Sequence, residues 1–461
     1  MIAKQDILDR AHEWQLRPSV VEKDYVLGWV LAAIAQHSEA SEDWVFKGGT
    51  CLKKCYFETY RFSEDLDFSL LPDAMYDADS LTQILQEVVQ VAHELSGITF
   101  PADLVTLRPR VDKLGRATFE GKIGYRGPLA IPSFPRLLFD LTRNEPVLAE
   151  PELRPVFHPY PDLLPDGMAV SSYSIEELFA EKTRALLERT RPRDLYDVVF
   201  ILESRAADVD FDEARDFFRR KCEAKGLHPP SSDELLVVAR TSGELRADWD
   251  NMLAHQLPQL PPFEDHLVRL EGVLRWIDAP IVAAPLLAPL VSGDELVAPA
   301  GVTYWGVGVP LEVARFAGIN HLLVEFTYKG KVRRAEPYSL RRAANGNLLL
   351  YAWEVDSPHI KAFSAREIVG LRATTIPFTP RHPVEFSSAG GIAAPMIARS
   401  SSGNQGSSRR RRFSTRRMYV FRCATCQKLF RHTTRNPSLR AHKAPDGWRC
   451  SSRRGYLERV E

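Results

Sequence analysis

Three things are scarce in this chain of 461 residues, and each scarcity narrows what the protein can be. Cysteine occurs six times, at positions 51, 55, 222, 423, 426 and 450, too few and too unevenly spaced for a disulfide framework. That pattern points to a reducing compartment. No stretch approaches the roughly 20 apolar residues of a membrane span, and the first 36 residues carry acidic side chains throughout in place of an apolar secretory segment. A cytoplasmic protein without a membrane partner is expected. Net charge is also absent, since 60 Lys and Arg balance 60 Asp and Glu. The balance is uneven along the chain: residues 401–461 hold 16 basic and 3 acidic side chains, hence +13, which leaves −13 for residues 1–400. A basic module of this kind suggests a polyanion partner. The length predicts two to four domains with ample apolar content for real cores.

The most informative stretch is Phe46 to Leu70, FKGGTCLKKCYFETYRFSEDLDFSL. Gly48 and Gly49 precede a short helix-like run, and Asp65 and Asp67 alternate with Leu66, Phe68 and Leu70. Side chains alternate between the faces of a strand, so the two carboxylates share one face while the apolar residues enter a core. Adjacent like charges resist joint ionisation in a confined site unless a cation sits between them, and Mg²⁺ takes carboxylate oxygens together with substrate phosphates. A backbone without Cβ atoms lets a phosphate approach closely, and the free N–H groups of a helix beginning near Thr50 offer an anion site. The combination reads as a nucleoside triphosphate held by backbone amides beside a carboxylate-bound Mg²⁺.

With its KGGT run, a helix, and then RFSEDLDF, the stretch resembles the AbiEii/AbiGii toxin nucleotidyltransferases, which share the polymerase-β-like nucleotidyltransferase fold. The resemblance covers roughly residues 20–200. It implies an α/β (α+β) core with a helical C-terminal part and transfer of NMP from an NTP to an acceptor hydroxyl. The implied acceptor is a nucleic acid such as tRNA, and a cognate antitoxin is an expected partner. It places Asp65 and Asp67 on the catalytic Mg²⁺, and Lys47, Gly48, Gly49, Thr50, Ser63 and Lys182 at the nucleotide. Asp140, the one acidic residue in the apolar strand pattern Pro135–Thr142, is the candidate third carboxylate, since an acid inside an apolar strand needs a reason; a surface-facing aspartate on an edge strand is the even alternative.

Elsewhere, periodicity predicts helices over 4–15 and 19–36, with Ser19 as a cap, over 80–95, and through 211–225 and 234–260. Val21-Glu22-Lys23-Asp24-Tyr25 is similar to a run that precedes the family's core; it reads equally as a solvated helix face and is left out of the site. A strand is also expected over Ala117–Tyr125. Ser174 and Glu177 have capping-box spacing at the head of SIEELFAEKTRALLER. Lys182 within it is expected to reach the triphosphate as a mobile point charge, with Asp194 and Asp197 holding Arg193 or shaping the start of the next helix.

The nucleotidyltransferase domain is expected over 1–265 and an Ala/Pro-rich connector over 266–300. Residues 301–390 then carry short strands around an Asn345-Gly346 hairpin turn. FTYKGKVRRAEPYSL, NGNLLLYAW and IKAFSAREI follow one another as in a WYL domain, which this part resembles, although Leu348-Leu349-Leu350 replaces the name-giving triplet. The resemblance implies a small SH3/Sm-like barrel that senses ligands or nucleic acids, with Arg341, Arg342, Lys361 and Arg366 as a phosphate-binding face. A basic linker at 391–417 leads to a zinc-ribbon-like module at 418–461, where Cys423, Cys426, Cys450 and either His442 or His432 suit tetrahedral Zn²⁺. A competing reading is a nucleic-acid-binding or ligand-sensing regulator built on these C-terminal modules, with a non-catalytic nucleotide-binding N-terminal domain.

Overall fold

Helix α2 (Pro18–Gln36) follows α1 (Lys4–Trp14) and buries every residue from Asp24 to Ile34. A helix apolar on all sides belongs inside a domain. Its first turn is set by Pro18, whose fixed φ and missing N–H suit that position, while Arg17 occupies the cap without a side-chain bond. The expected cap at Ser19 is thereby displaced inward. The computed structural model describes residues 1–278 and 311–386, except 58–59, 73, 75, 112–116, 144, 206–208, 344–345 and 358; beyond these it describes 295–296, 419–423, 428–432 and 455–460. The chain divides into two units, Met1–Ile397 and Ala398–Glu461.

In the first unit, after α3 (Ser38–Asp43), a mixed sheet is built from β1 (Trp44–Lys47), β2 (Asp65–Leu70), β3 (Val105–Val111), β4 (Ala117–Gly124), β5 (Arg136–Thr142), β6 (Glu152–Pro155) and β7 (Ala169–Ser172). Their order is β3-β4-β5-β2-β1-β7-β6. Strand β2 lies at the centre, antiparallel to β1 and parallel to β5. A short helix α4 (Gly48–Cys51), continued by a π-helical turn Leu52–Tyr56, joins β1 towards β2. Helix α5 (Ala78–Ser96) is capped by Asp77, which accepts the Ser80 N–H at 2.8 Å, and it ends at Gly97 with φ +73°. Its stripe of Leu81, Ile84, Leu85, Val88, Val89 and Ala92 is buried, and it packs on α2 and β3.

Helices α6 (Ile175–Arg189), α7 (Pro192–Arg205) and α8 (Phe211–Ala224) follow, with α6 packed on both others. Ser174 caps α6 by accepting the Glu177 N–H at 3.2 Å. The reciprocal half of the expected capping box is replaced, because the buried Glu177 carboxylate accepts the N–H groups of Leu148 and Ala149 and pairs with Lys221 at 2.7 Å. The helical pattern expected over 234–260 is three pieces: α9 (Ser232–Thr241), α10 (Gly243–Ala247) and α11 (Trp249–Leu253). Ser242 ends the first and caps the second by accepting the Leu245 N–H, so the chain turns there. Helix α12 (Phe263–Leu274) runs past the expected boundary at 265, and Trp276 is buried against Phe179 with ring centroids 4.8 Å apart. The helical part therefore includes the start of the expected connector.

Beyond it, α13 (Leu311–Ile319) leads into an antiparallel sheet of β8 (Glu295–Leu296), β9 (Leu322–Tyr328), β10 (Lys331–Arg342), β11 (Leu348–Glu354), β12 (His359–Ser364) and β13 (Ile368–Pro377). The order β12-β11-β10-β9-β13, with β8 on β10, leaves β12 and β13 at the two ends. Among the described residues no pairing closes this order into the expected barrel. Gly346 (φ +81°) makes the β10–β11 turn, donating its N–H to Ala343 at 2.8 Å. Arg341 is fully buried against Glu385, and Lys361 is paired with Glu354. Two members of the expected phosphate-binding face are thus already neutralised.

The second unit is described as β14 (Tyr419–Cys423), β15 (Leu429–His432) and β16 (Gly455–Val460), antiparallel in the order β15-β14-β16. Among the described residues, no helix is long and apolar enough to cross a membrane.

Candidate active site

The site begins where β1 ends. Lys47 closes the strand, and Gly48 takes φ +80°, a left-handed conformation that turns the chain straight into α4. The turn also needs space. A Cβ on Gly48 would stand 2.3 Å from Asp67 Oδ2, and one on Gly49 would stand 2.7 Å from Arg61 Nη2 and 2.9 Å from Ser63 Oγ. The two glycines are therefore what allow the helix start, Asp67 and Ser63 to crowd together. Thr50 completes the join by donating its hydroxyl to the main-chain oxygen of Asp65.

Strand β2 alternates as expected: Leu66, Phe68 and Leu70 are buried, while Asp65 and Asp67 point to the other face and are part-exposed. Asp140 joins them through register, since β5 runs parallel to β2 and sets Asp140 beside Asp67 and Leu138 beside Asp65. Leu137, Phe139 and Leu141 face the core, so Asp140 lies on the open face. None of the three carboxylates has a hydrogen-bond or ion-pair partner among the described residues. Burial, reinforced by Asp65 and Asp140, pushes the Asp67 carboxyl up to about 7. Asp65 and Asp140 are also raised, chiefly by burial. Carboxylates left this close and unpaired fit a divalent cation. Among the described residues, no group of three or more His, Cys, Asp or Glu side chains closes into a metal cage, so an ion on this pair would draw its remaining ligands from substrate and water.

Beneath the glycines lies a buried charge network. Arg61 donates to Asp197 from Nε (2.6 Å to Oδ1) and Nη2 (2.8 Å to Oδ2), and its Nη1 reaches Gln256 Oε1 at 3.0 Å. Lys182 Nζ sits 2.7 Å from Asp197 Oδ2 and 3.7 Å from Asp194 Oδ1. Lys182 is therefore a buried, paired cation rather than the mobile charge expected. Asp194 and Asp197 do not hold Arg193: Asp194 takes the Arg189 guanidinium at 2.7 and 2.9 Å, and Asp197 takes Arg61. Arg193 is left with its Nε buried and unpartnered, and it is the strongest positive influence on Asp65. Lys47 is likewise committed, in a buried pair with Glu145.

Sequence reasoning brings Lys47, Gly48, Gly49, Thr50, Ser63, Asp65, Asp67, Asp140 and Lys182 to one region, and the structure gathers all of them around the β1–α4 turn or in the charge network beside it. It missed Arg61 and Glu145 and gave Arg193 an ion pair that the structure does not show. The segment Glu22-Lys23-Asp24, which the sequence left evenly open between a solvated face and a functional role, is not a solvated face: Glu22 and Asp24 are buried, Glu22 accepts the Leu129 N–H, Asp24 accepts Lys54, and Lys23 pairs with Glu64 beside Asp65. The available signal was the density of charge inside an apolar helix, which a solvated face does not need. Of the zinc candidates, Cys423 is buried at the end of β14, its N–H bonded to Lys428 O at 2.9 Å; Cys426, His442 and Cys450 lie outside the described residues.

A pair of unpaired acids beside a glycine turn, with a third carboxylate in register, is compatible with phosphoryl-transfer chemistry on a divalent cation. The chain belongs to the nucleotidyl transferase AbiEii toxin family of type IV toxin–antitoxin systems, whose signature matches residues 29–269. Among solved structures it is similar to MenT4, a nucleotidyltransferase toxin from Mycobacterium tuberculosis H37Rv, at 20% identity, covering 61% of this chain and 91% of that one with a TM-score of 0.43. No curated protein matches the chain by sequence.

Proposed function

We propose that this toxin-family nucleotidyltransferase transfers NMP from an NTP to an acceptor hydroxyl on RNA, with tRNA as the acceptor class and a cognate antitoxin as its restraint. The observation that carries the reading is the set of three unpaired carboxylates, Asp65, Asp67 and Asp140, in register beside a glycine turn. Mg²⁺ on Asp65 and Asp67 would supply neutralisation of the charge that develops on the transferring phosphoryl group. In this reading Gly48, Gly49 and Thr50 lie beside the triphosphate and hold Asp67 and Ser63 close to it. Arg193 contributes the uncommitted positive charge on the Asp65 side, while Lys182 and Arg61 brace the turn through Asp197. Asp140, the outermost of the three, takes the proton of the attacking hydroxyl in this reading, and burial together with Glu120 and Asp65 raises its pKa, which strengthens it as a base.

The regulator reading requires a degenerate centre, and the carboxylate pair is intact. A structural Zn²⁺ on Cys423, Cys426, Cys450 and a histidine, and a sensing role for the WYL-like part, belong to the same proposal. The test is incubation of the protein with Mg²⁺, total tRNA and each of four labelled NTPs in turn. Label transfer by the wild type and its loss by at least 10³-fold in Asp67→Asn, equivalent to about 4 kcal/mol of transition-state stabilisation, is the expected result. An Asp67→Asn protein of unchanged activity refutes the mechanism.

A further inference from the structure

The sheet that carries the carboxylates continues outward as an uncovered face. Across β5, β4 and β3 the registers set Leu138 beside Lys122 and Thr106, Asp140 beside Glu120 and Arg108, and Arg136 beside Gly124. Partners in register project from the same side, so this face is continuous with that of Asp65 and Asp67. Thr106, Arg108, Glu120, Lys122, Arg136, Leu138 and Asp140 are all exposed on it, whereas the opposite side buries Phe119, Ile123, Leu137, Phe139 and Leu141.

Its charge is unusual for its surroundings. Residues 1–400 carry −13, yet Arg108, Lys122 and Arg136 stand here without an ion-pair partner among the described residues. Arg110 is the one cation of β3 that is neutralised, by Glu120 at 2.8 Å. Lys122 is two strands from Asp65, about 10 Å at the usual strand spacing. Between them lies Leu138, 46% exposed, an apolar side chain where a solvated strand face would favour a polar one.

We infer that the β3–β5 face is the track for the acceptor: a single polynucleotide strand whose phosphates meet Arg108, Lys122 and Arg136, whose terminal base rests on Leu138, and whose terminal hydroxyl reaches Asp140. The partner's chemistry follows from charge complementarity and from continuity with the catalytic carboxylates, which need an acceptor delivered from an open side. Cations along the track offset the repulsion between an incoming phosphate chain and the acidic centre. This rests on the nucleotidyltransferase reading and extends it to how the acceptor is held.

The test uses the full chain with Arg108→Gln, Lys122→Gln and Arg136→Gln combined, against a control with Arg219→Gln, Arg240→Gln and Arg246→Gln, which removes equal charge from exposed helical positions. Binding of a fluorescent single-stranded RNA is titrated at several salt concentrations, with DNA of the same sequence in a parallel arm to tell which sugar the face takes. Each phosphate contact on a single strand contributes about 0.7 to the log–log salt slope, so the track variant should lose about 2 from the slope. It should bind roughly 100-fold more weakly at 0.1 M salt and show a raised KM for the oligonucleotide with an unchanged KM for NTP. A photoreactive nucleotide at the oligonucleotide terminus should crosslink within residues 105–142. The inference is overturned if the track variant keeps the wild-type affinity and slope, if the control variant loses as much, or if the wild type binds no oligonucleotide. Failure of the parent reading is seen separately, as a wild type that binds the strand but transfers no label from any NTP.

Discussion

Arg61 and Asp197, 136 residues apart, meet in a two-point ion pair directly under the glycine turn. Burial alone would raise the Asp197 carboxyl, but Arg61 and Lys182 hold it well below the usual carboxylate range. Because Arg61 Nη2 also abuts the space above Gly49, the pair fixes the floor on which the glycine backbone rests.

Asp197→Ala should therefore destabilise the protein by about 3–5 kcal/mol, since it strands two buried cations. Urea unfolding measures this. Combining it with Arg61→Met should recover part of the loss, and a double variant no more stable than Asp197→Ala alone would show that the pair is not what holds the turn.

At Gly48, an alanine would be held at φ +80° with its Cβ on Asp67 Oδ2. The backbone cost is about 1–2 kcal/mol. The catalytic cost is larger, on the order of 10²-fold in kcat/KM, because the carboxylate must shift. Parallel melting and label-transfer measurements separate the two; an active Gly48→Ala enzyme would mean Asp67 has room the structure does not show.

Arg193 and Lys182 should behave differently. Arg193→Ala breaks no internal ion pair, so stability should change by only about 0.5 kcal/mol while KM for NTP rises roughly 10-fold. Lys182→Ala removes a buried partner of Asp197 and should cost about 2 kcal/mol or more in stability along with activity. Steady-state kinetics over an NTP series, with melting curves for both proteins, would reassign the roles if Lys182→Ala proved the neutral one.

His266 is buried between Tyr196 and Trp249, and burial lowers its pKa to about 4. The unfolded chain takes up that proton near pH 6.5 and the folded chain does not, so this stability is complete above pH 6.5 and is lost as pH falls towards 4. From pH 7 to pH 5 the loss amounts to about 2 kcal/mol. His266→Phe should remove that share of the acid sensitivity, read as a smaller difference between urea midpoints at pH 7 and pH 5. An identical difference in the two proteins would place the titration elsewhere.

What the chain's own order of residues determined is local. Alternation in DLDFSL and RLLFDLT assigned the faces of β2 and β5, and with them the common side of Asp65 and Asp67 and the outward side of Asp140. The paired glycines announced a backbone turn. These signals are readable because a strand's two-residue period and a glycine's missing Cβ act within a few residues of themselves. Which charges are free and which are spent could not be read in that way. Lys182 and Arg61 share Asp197 and Arg193 is left over through the packing of α6 and α7 beside the sheet, while Lys47 faces Glu145 from the loop beyond β5. The register that brings Asp140 level with Asp67 and continues the face to Lys122 is likewise set by strand pairing across the sheet. Charge carries no periodicity that names its partner, so the tertiary structure alone decided which cations brace the turn and which are left without an ion-pair partner.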